Sequence, residues 1–151
     1  TLIFIVYNFP KAKIFLGDSG AYLLGALIAI STINTNNLDP SISSFFFCIL
    51  LFYLFFEVFF SFFRKIFVVK TSPLFSDNKH LHMLLYKFLL KTSNDKLSSN
   101  YKASVYINLA YLCFITPGIL FMHNTLFCRF YFFFLLIIYI FFYRLLHKKL
   151  K

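Results

Sequence analysis

Long apolar runs, broken by two short polar islands, make up most of this 151-residue chain. Four of the runs approach the ~20 residues that a helix needs to cross about 30 Å of hydrocarbon. We therefore predict an all-α, polytopic membrane helix bundle with about four transmembrane helices. These spans cover residues 19–33, 45–63, 103–122 and 126–146, and residues 64–102 form a loop between the second and third.

The composition agrees with a membrane protein and excludes a soluble domain, because 60% of the residues are hydrophobic and 13% are charged. A net charge of +10 is also typical of proteins that bind nucleic acid. Here the basic residues lie in a few segments between the apolar runs, so we expect no nucleic-acid partner. The three cysteines, Cys48, Cys113 and Cys128, lack metal-site spacing and are interpreted as packing residues.

The positive charges predict the orientation of the spans. If all four spans form, 14 of the 15 Lys and Arg residues lie on one side of the membrane, and only Arg129 departs from the pattern. The connections on the other side, residues 34–44 and 123–125, contain no Lys or Arg. Since Lys and Arg are enriched in cytoplasmic loops, both polar islands should face the cytoplasm.

The cytoplasmic loop, residues 64–102, has the pattern of one short amphipathic helix. Asp77 can cap a helix that starts near Asn78, and residues 92–100 form a polar linker behind it. An apolar stripe along the helix predicts that it lies on the membrane surface. The stripe consists of Leu81, Leu84, Leu85 and Phe88.

The first polar island contains the run Gly17-Asp18-Ser19-Gly20 directly before an apolar segment. At the start of a helix, such a turn offers free backbone N–H groups and the positive end of the helix dipole, and both suit a phosphate. The Asp18 carboxylate can hold Mg²⁺, which proteins bind through one or two carboxylates plus substrate phosphates. The residues alone favour equally the alternative that Asp18 simply caps the helix.

The second polar island runs from Ser76 to His82 and contains two histidines separated by one residue. On a regular helix, His80 and His82 point to opposite sides, so they can face one ligand only if the segment is extended or a turn. A zinc site lacks a third ligand at suitable spacing, and Lys79 would repel the metal. We favour phosphate recognition, with an ordinary pair of surface histidines as the alternative.

A lone acid, Glu57, lies in the Phe-rich second span. A carboxylate in such surroundings needs a partner or a function. Its position allows an ion pair with Arg64 or Lys65, and the residues leave a structural and a functional role open. The basic residues Arg64, Lys65 and Lys70 can also attract the phosphate of a lipid.

The run Asn8-Phe9-Pro10-Lys11-Ala12-Lys13-Ile14-Phe15-Leu16-Gly17-Asp18-Ser19-Gly20 resembles the signature of the polyprenyl-phosphate N-acetylhexosaminyl-1-phosphate transferases, the MraY/WecA-like family. The second island is similar to that family's Pro-Asp-x-x-His-x-His-His motif. Asp77, His80 and His82 match it, whereas Met83 replaces its last histidine. This departure favours the WecA-like branch over the MraY branch.

The resemblance implies a single membrane-embedded transferase domain, of which residues 1–151 would be the C-terminal part. Such enzymes move a sugar-1-phosphate, here expected to be N-acetylhexosamine-1-phosphate, from a UDP-sugar to a polyprenyl phosphate and release UMP. The implied cofactor is Mg²⁺, with Mn²⁺ as a substitute. The implied location is the bacterial cytoplasmic membrane, and the oligomeric state, including a homodimer, is left open. The alternative function is a non-catalytic membrane protein, either an assembly partner or a remnant of such an enzyme.

The resemblance also implies roles for individual residues. The family carries an Asp-Asp pair and further spans ahead of the Gly-Asp motif, and since residues 1–151 hold neither, we expect this chain to be an incomplete enzyme. The implied catalytic residues are Asp18, which also binds the metal, His80 and His82. The implied substrate-binding residues are Lys13, Gly17, Ser19, Arg64, Lys65, Asp77, Asn78 and Lys79.

Overall fold

The computed structural model describes residues 2–9, 13–72 and 79–150. Regular structure within these residues is entirely helical, which confirms the predicted all-α class. The chain divides into two compact units, Thr1–Ile42 and Ser43–Lys151, and each is described by itself.

Seven α-helices and one π-helix form the two units in the described part of the chain. The first unit contains α1 (Leu2–Asn8) and α2 (Gly17–Leu38). The second unit contains α3 (Ser44–Leu50), α4 (Phe52–Phe63), a π-helix (Arg64–Val69), α5 (Leu81–Ser93), α6 (Lys96–Leu120) and α7 (Thr125–Leu150).

Among residues 2–9, 13–72 and 79–150, two helices have the length and hydropathy of membrane spans, α6 with a mean hydropathy of 1.6 and α7 with 2.2. Helix α7 contains the fourth predicted span, and α6 contains the third except for its last two residues, since α6 ends at Leu120. A third span exists if α3 and the helix that follows it count as one broken span. Helix α2 contains the first predicted span, but the polar residues of its last turns lower its hydropathy, and this span stays a prediction.

The second predicted span is not one straight helix, because the chain bends by 76° between α3 and α4. The break falls at Leu51, whose φ of −106° and ψ of 10° leave the helical region. The Leu50 carbonyl before the break accepts a hydrogen bond from the Tyr111 hydroxyl of α6. A side chain that takes over a helix carbonyl is a recognised cause of such a kink.

The core of the second unit lies where α3, α4, α6 and α7 meet. Ile49 at the end of α3 is fully buried, and Cys128 beside it is equally enclosed, in agreement with its prediction as a packing residue. Aromatic rings fill much of the remaining space, with offset and edge contacts that favour ring pairs. The buried cluster consists of Ile49, Phe52, Phe56, Ile115, Cys128, Leu135 and Tyr139.

Helix α5 is the predicted amphipathic helix of the loop, but its boundaries and its partner differ from the prediction. It starts at Leu81 rather than near Asn78, and its apolar stripe faces α6 and α7 instead of a membrane surface. Leu84 is buried there, with 3% of its surface exposed. The stripe also lines an apolar cavity of about 380 Å³ between α4, α5, α6 and α7.

The predicted polar linker at residues 92–100 is wrong, since only two residues separate α5 from α6. Asn94 ends α5 in the left-handed region, with a φ of 52°, which suits asparagine at this position. Asp95 then caps α6 by accepting hydrogen bonds from the backbone N–H groups of Leu97 and Ser98. The polar sequence here encodes two helix caps. The helix of the third predicted span, α6, therefore starts at Lys96 instead of about Ala103.

Gly118 lets α3 approach α6 closely. A Cβ atom at Gly118 would lie 2.8 Å from Cγ2 of Ile49, a fully buried side chain. The neighbouring Pro117 lies in the last turn of α6, which ends at Leu120.

We expect Gly118→Ala to destabilise the second unit by about 1–3 kcal/mol, because overpacking a filled core has this cost. Alanine alone would favour the helix, so a loss of stability isolates the clash with Ile49. Thermal unfolding in detergent, followed by circular dichroism, measures the effect. In the double variant with Ile49→Ala, the total loss of stability should be smaller than the sum of the two single losses. Full additivity would contradict the contact.

Candidate functional site

Asn8 closes the loop that precedes α2 in the first unit. Its Oδ1 atom accepts hydrogen bonds from the backbone N–H groups of Lys13 and Ile14, each at 2.9 Å. Its Nδ2 atom donates to the Ile14 carbonyl at 2.8 Å. Asn8 therefore holds the two ends of the motif loop together, and Pro10–Ala12 between them lie outside the described residues.

Two glycines of the first island have different structural roles. Gly17 has a φ of 70°, a conformation that favours glycine because it has no Cβ atom. A Cβ atom at Gly20 would lie 2.8 Å from Cγ and Cδ1 of Leu16, so Gly20 leaves space for that side chain. Together they allow the chain to turn directly into α2 next to Asp18.

Asp18 lies in the first turn of α2 with its side chain exposed. The N-cap position is Leu16, so the alternative that Asp18 itself caps the helix is not supported. The exposed carboxylate lies at the positive end of the α2 dipole, beside N–H groups that have no partner within the helix. Lys13 and Ser19 are exposed as well.

Asp18 fits a Mg²⁺ site as one ligand among several. Mg²⁺ takes six oxygen ligands and keeps positions for phosphates and water, so one exposed carboxylate is a suitable protein contribution. The Ser19 hydroxyl is the next side-chain oxygen along the chain. Within the described ranges, no three His, Cys, Asp or Glu side chains come together as a closed metal site.

Both histidines of the second island lie at the start of α5. His80 is the N-cap residue and has extended backbone angles, φ −70° and ψ 154°, whereas His82 belongs to the first helical turn. Their rings are parallel within 8°, with centroids 5.7 Å apart. His80 and His82 can face one ligand only if the segment is extended or a turn, and the backbone at His80 is extended.

Glu57 of α4 contacts this histidine pair. Its Oε2 atom lies 2.7 Å from Nδ1 of His80, and its Oε1 atom accepts the backbone N–H of Leu81 at 2.8 Å. Only 8% of the Glu57 surface is exposed. The sequence left open whether Glu57 has a structural or a functional role, and the structure gives it His80 as a partner. The predicted ion pairs with Arg64 or Lys65 did not anticipate this contact.

The imidazole of His82 has a lowered pKa. Desolvation by the surrounding protein is the main cause, and the neighbouring His80 adds to it, while the negative charge of Glu57 opposes the shift. The side chain nevertheless keeps access to solvent. Desolvation therefore favours the neutral form of His82, and a ligand can reach the ring.

The remaining predicted binding residues lie at different depths. Lys65 is buried in the π-helix, with 9% of its surface exposed, and Arg64 beside it lies close to Tyr143 of α7. Lys79 is exposed next to His80. Asp77 and Asn78 lie outside the described residues, so their predicted roles stay predictions.

The apolar helices define the class of this chain, a multi-pass membrane protein. Residues 1–36 match the model of glycosyl transferase family 4, which confirms the family resemblance seen at the Gly-Asp motif. Over 79 residues the chain is 39% identical to the undecaprenyl-phosphate alpha-N-acetylglucosaminyl 1-phosphate transferase of Thermotoga maritima. This similarity covers 52% of the chain and 25% of that relative. No solved structure matches the chain.

The sequence did not predict the roles of two residues in these sites, Glu57 and Asn8. The contact between Glu57 and His80 joins positions 23 residues apart, and its only signal was an acid without a partner in an apolar run. Asn8 was recognised as part of the motif but received no role. An asparagine that opens a loop before a helix commonly bonds to nearby backbone groups, and this was the available signal.

Replacing Asn8 with alanine should open the motif loop. The change removes three hydrogen bonds, each worth about 0.5–1.5 kcal/mol, so trypsin should cut after Lys11 and Lys13 at a higher rate. Asn8→Asp keeps both acceptor bonds and should give an intermediate rate. The exposed neighbour Tyr7 provides the control, Tyr7→Ala, and equal cleavage of both alanine variants would contradict the role of Asn8.

His82 should make the protein less stable in acid. Because its folded pKa is below the unfolded value of about 6.5, the unfolded chain binds the proton more strongly. The stability contribution is therefore complete above that pH and is lost as the pH falls towards the folded pKa. The melting temperature should fall less between pH 7.5 and 5.5 in His82→Gln than in the wild type. His123→Gln is the control, and an identical fall in all three proteins would refute the assignment.

Proposed function

We propose that this chain is part of a membrane transferase that moves a sugar-1-phosphate from a UDP-sugar to a polyprenyl phosphate. The observation that carries the proposal is the Gly17-Asp18 turn at the start of α2, within the segment that matches glycosyl transferase family 4. The name of the Thermotoga maritima relative supports the same reaction type. N-acetylhexosamine-1-phosphate is the proposed group, and UMP is the proposed leaving product.

In the proposed reaction, an oxygen of the polyprenyl phosphate attacks the phosphorus next to the sugar. The new phosphorus–oxygen bond forms as the bond to the UMP oxygen breaks, so the sugar phosphate passes to the lipid. The reaction brings several anions together, and its main demand on the protein is charge neutralisation and alignment. These are tasks for cations and for backbone N–H groups.

The first island fits the binding of a diphosphate. Free N–H groups at the start of α2 attract anionic oxygens, and the exposed Asp18 carboxylate is the proposed ligand of Mg²⁺ or Mn²⁺. Such an ion, when bound, would neutralise phosphate charge. Lys13, Gly17 and Ser19 are the proposed neighbours of the same ligand, Lys13 as a cation and the other two through backbone or hydroxyl groups.

The second island supplies groups that can contact the donor at the start of α5. His80 and His82 are proposed to contact the donor, and Lys79 adds an exposed positive charge. Arg64 and Lys65 are proposed to attract the lipid phosphate. Asp77 and Asn78 are proposed to contact the donor. The proposed location is a bacterial cytoplasmic membrane with both islands on the cytoplasmic side.

The alternative function is a non-catalytic membrane protein that assembles with such an enzyme. The similarity to the Thermotoga maritima relative covers only a quarter of that relative's length, so it does not by itself assign turnover to this chain. The two functions differ in one measurable property, which is turnover by the protein expressed from its complete open reading frame.

Asp18→Asn should reduce transfer of radiolabelled sugar phosphate to undecaprenyl phosphate by at least about 100-fold, since it removes the charge that would hold the metal. Membrane insertion, measured by fractionation, should stay normal. The matched control is Asp39→Asn, because Asp39 is at the opposite end of α2 from Asp18 and accepts hydrogen bonds from Ser41 in the local turn. Unchanged transfer in Asp18→Asn would sink the metal assignment, and no transfer by the wild type would favour the non-catalytic alternative.

A further inference from the structure

Both oxygens of the buried Glu57 carboxylate are bonded to the start of α5. Oε2 bonds to the His80 ring and Oε1 to the Leu81 backbone, at 2.7 and 2.8 Å. The hydroxyls of Tyr53 and Tyr139 also lie within electrostatic range of this carboxylate. A charged group away from water is tolerated only when it is bonded in this way, so the position of Glu57 and that of α5 depend on each other.

The bond to Leu81 is a helix cap supplied by another helix. Leu81 is the first residue of α5, so its N–H has no partner within the helix, and the His80 side chain makes no capping bond. A carboxylate at this end of a helix also interacts favourably with the helix dipole. Glu57 therefore performs for α5 the role that Asp95 performs for α6.

The bond to His80 determines which ring nitrogen carries the proton. The Leu81 N–H can only donate, so the carboxylate acts as an acceptor at Oε1, and an ionised carboxylate is an acceptor at both oxygens. With Glu57 ionised, Nδ1 of His80 is the donor in this bond. Nε2 is left for other contacts, and the His80 side chain keeps 31% of its surface exposed.

We propose that Glu57 is a positioning residue that docks α5 onto α4 and fixes His80 with Nδ1 protonated, so that Nε2 is presented to a ligand as a hydrogen-bond acceptor for a hydroxyl or N–H group. The identity of that ligand as the sugar-nucleotide donor rests on the proposed function. The docking and the choice of ring nitrogen do not depend on it. Elsewhere, histidines that bind ligands are oriented by carboxylates in the same manner.

Glu57→Gln tests the choice of nitrogen with little change in shape. A glutamine has one acceptor oxygen and one NH₂ donor. If the oxygen keeps its bond to the Leu81 N–H, the NH₂ group faces Nδ1 of His80, and this nitrogen must become an acceptor. We therefore expect His80 to carry its proton on Nε2 in this variant.

Leu81→Pro is the matched control, because proline is well tolerated at the first position of a helix and has no N–H. The extended angles of His80 suit a residue before proline. The carboxylate loses its bond to residue 81 but keeps its charge, so His80 should keep its proton on Nδ1. In the double variant E57Q/L81P, the glutamine oxygen is free to accept from Nδ1, and the wild-type proton position should return.

The measurement is NMR of ¹⁵N-labelled histidine in the full chain in lipid nanodiscs, where protonated and bare ring nitrogens have distinct shifts. The chain has four histidines, and His80→Gln identifies the signals of His80. Reversal in Glu57→Gln and return in the double variant support the proposal. The same proton position in wild type and Glu57→Gln would overturn it.

Transfer activity provides a second, separate readout. Changing a group that orients a histidine typically costs about 10–100-fold, so kcat should fall by that factor in Glu57→Gln and recover in part in the double variant. Full activity despite a reversed proton position would overturn the part of the proposal that concerns Nε2. A wild type without transfer activity would overturn the proposed function, while the NMR result still decides the role of Glu57.

Discussion

The second unit depends on one constraint: a carboxylate inside an apolar bundle must be bonded on all sides. Glu57 meets this constraint through two groups at the start of α5, and thereby holds a polar island of the loop against α4. The apolar stripe of α5 then packs on α6 and α7 instead of lying on a lipid surface. A single acid accordingly connects the loop chemistry to the packing of the spans.

Both polar islands are built on the start of a helix, but they obtain their geometry in different ways. The first is formed locally, since Asn8, Gly17 and Gly20 act within a few residues of Asp18. The second takes its cap from α4, 24 residues earlier in the chain. A local arrangement has to be written into consecutive residues, which explains why the recognisable signature lies at the first island.

The same distinction explains what could be predicted from the sequence. The long apolar runs of α6 and α7 and the amphipathic stripe of α5 follow from periodicity, and all three helices exist. The bend at Leu51 could not be predicted, because no Gly or Pro marks it and the hydroxyl that takes the Leu50 carbonyl comes from Tyr111, 61 residues away. The linker at residues 92–100 failed for another reason: polar residues that cap helices look like a loop in a composition-based interpretation.

The Glu57 contact does not involve Met83, a position at which the second island differs from the motif that it resembles. Met83, in place of a histidine, lies within α5 on a partly buried position, one residue after His82. The orientation of His80 depends on its extended backbone and on Glu57, and neither involves residue 83. Met83 therefore stands at a position that the Glu57 contact does not need, and His80 and His82 keep their geometry with a methionine there.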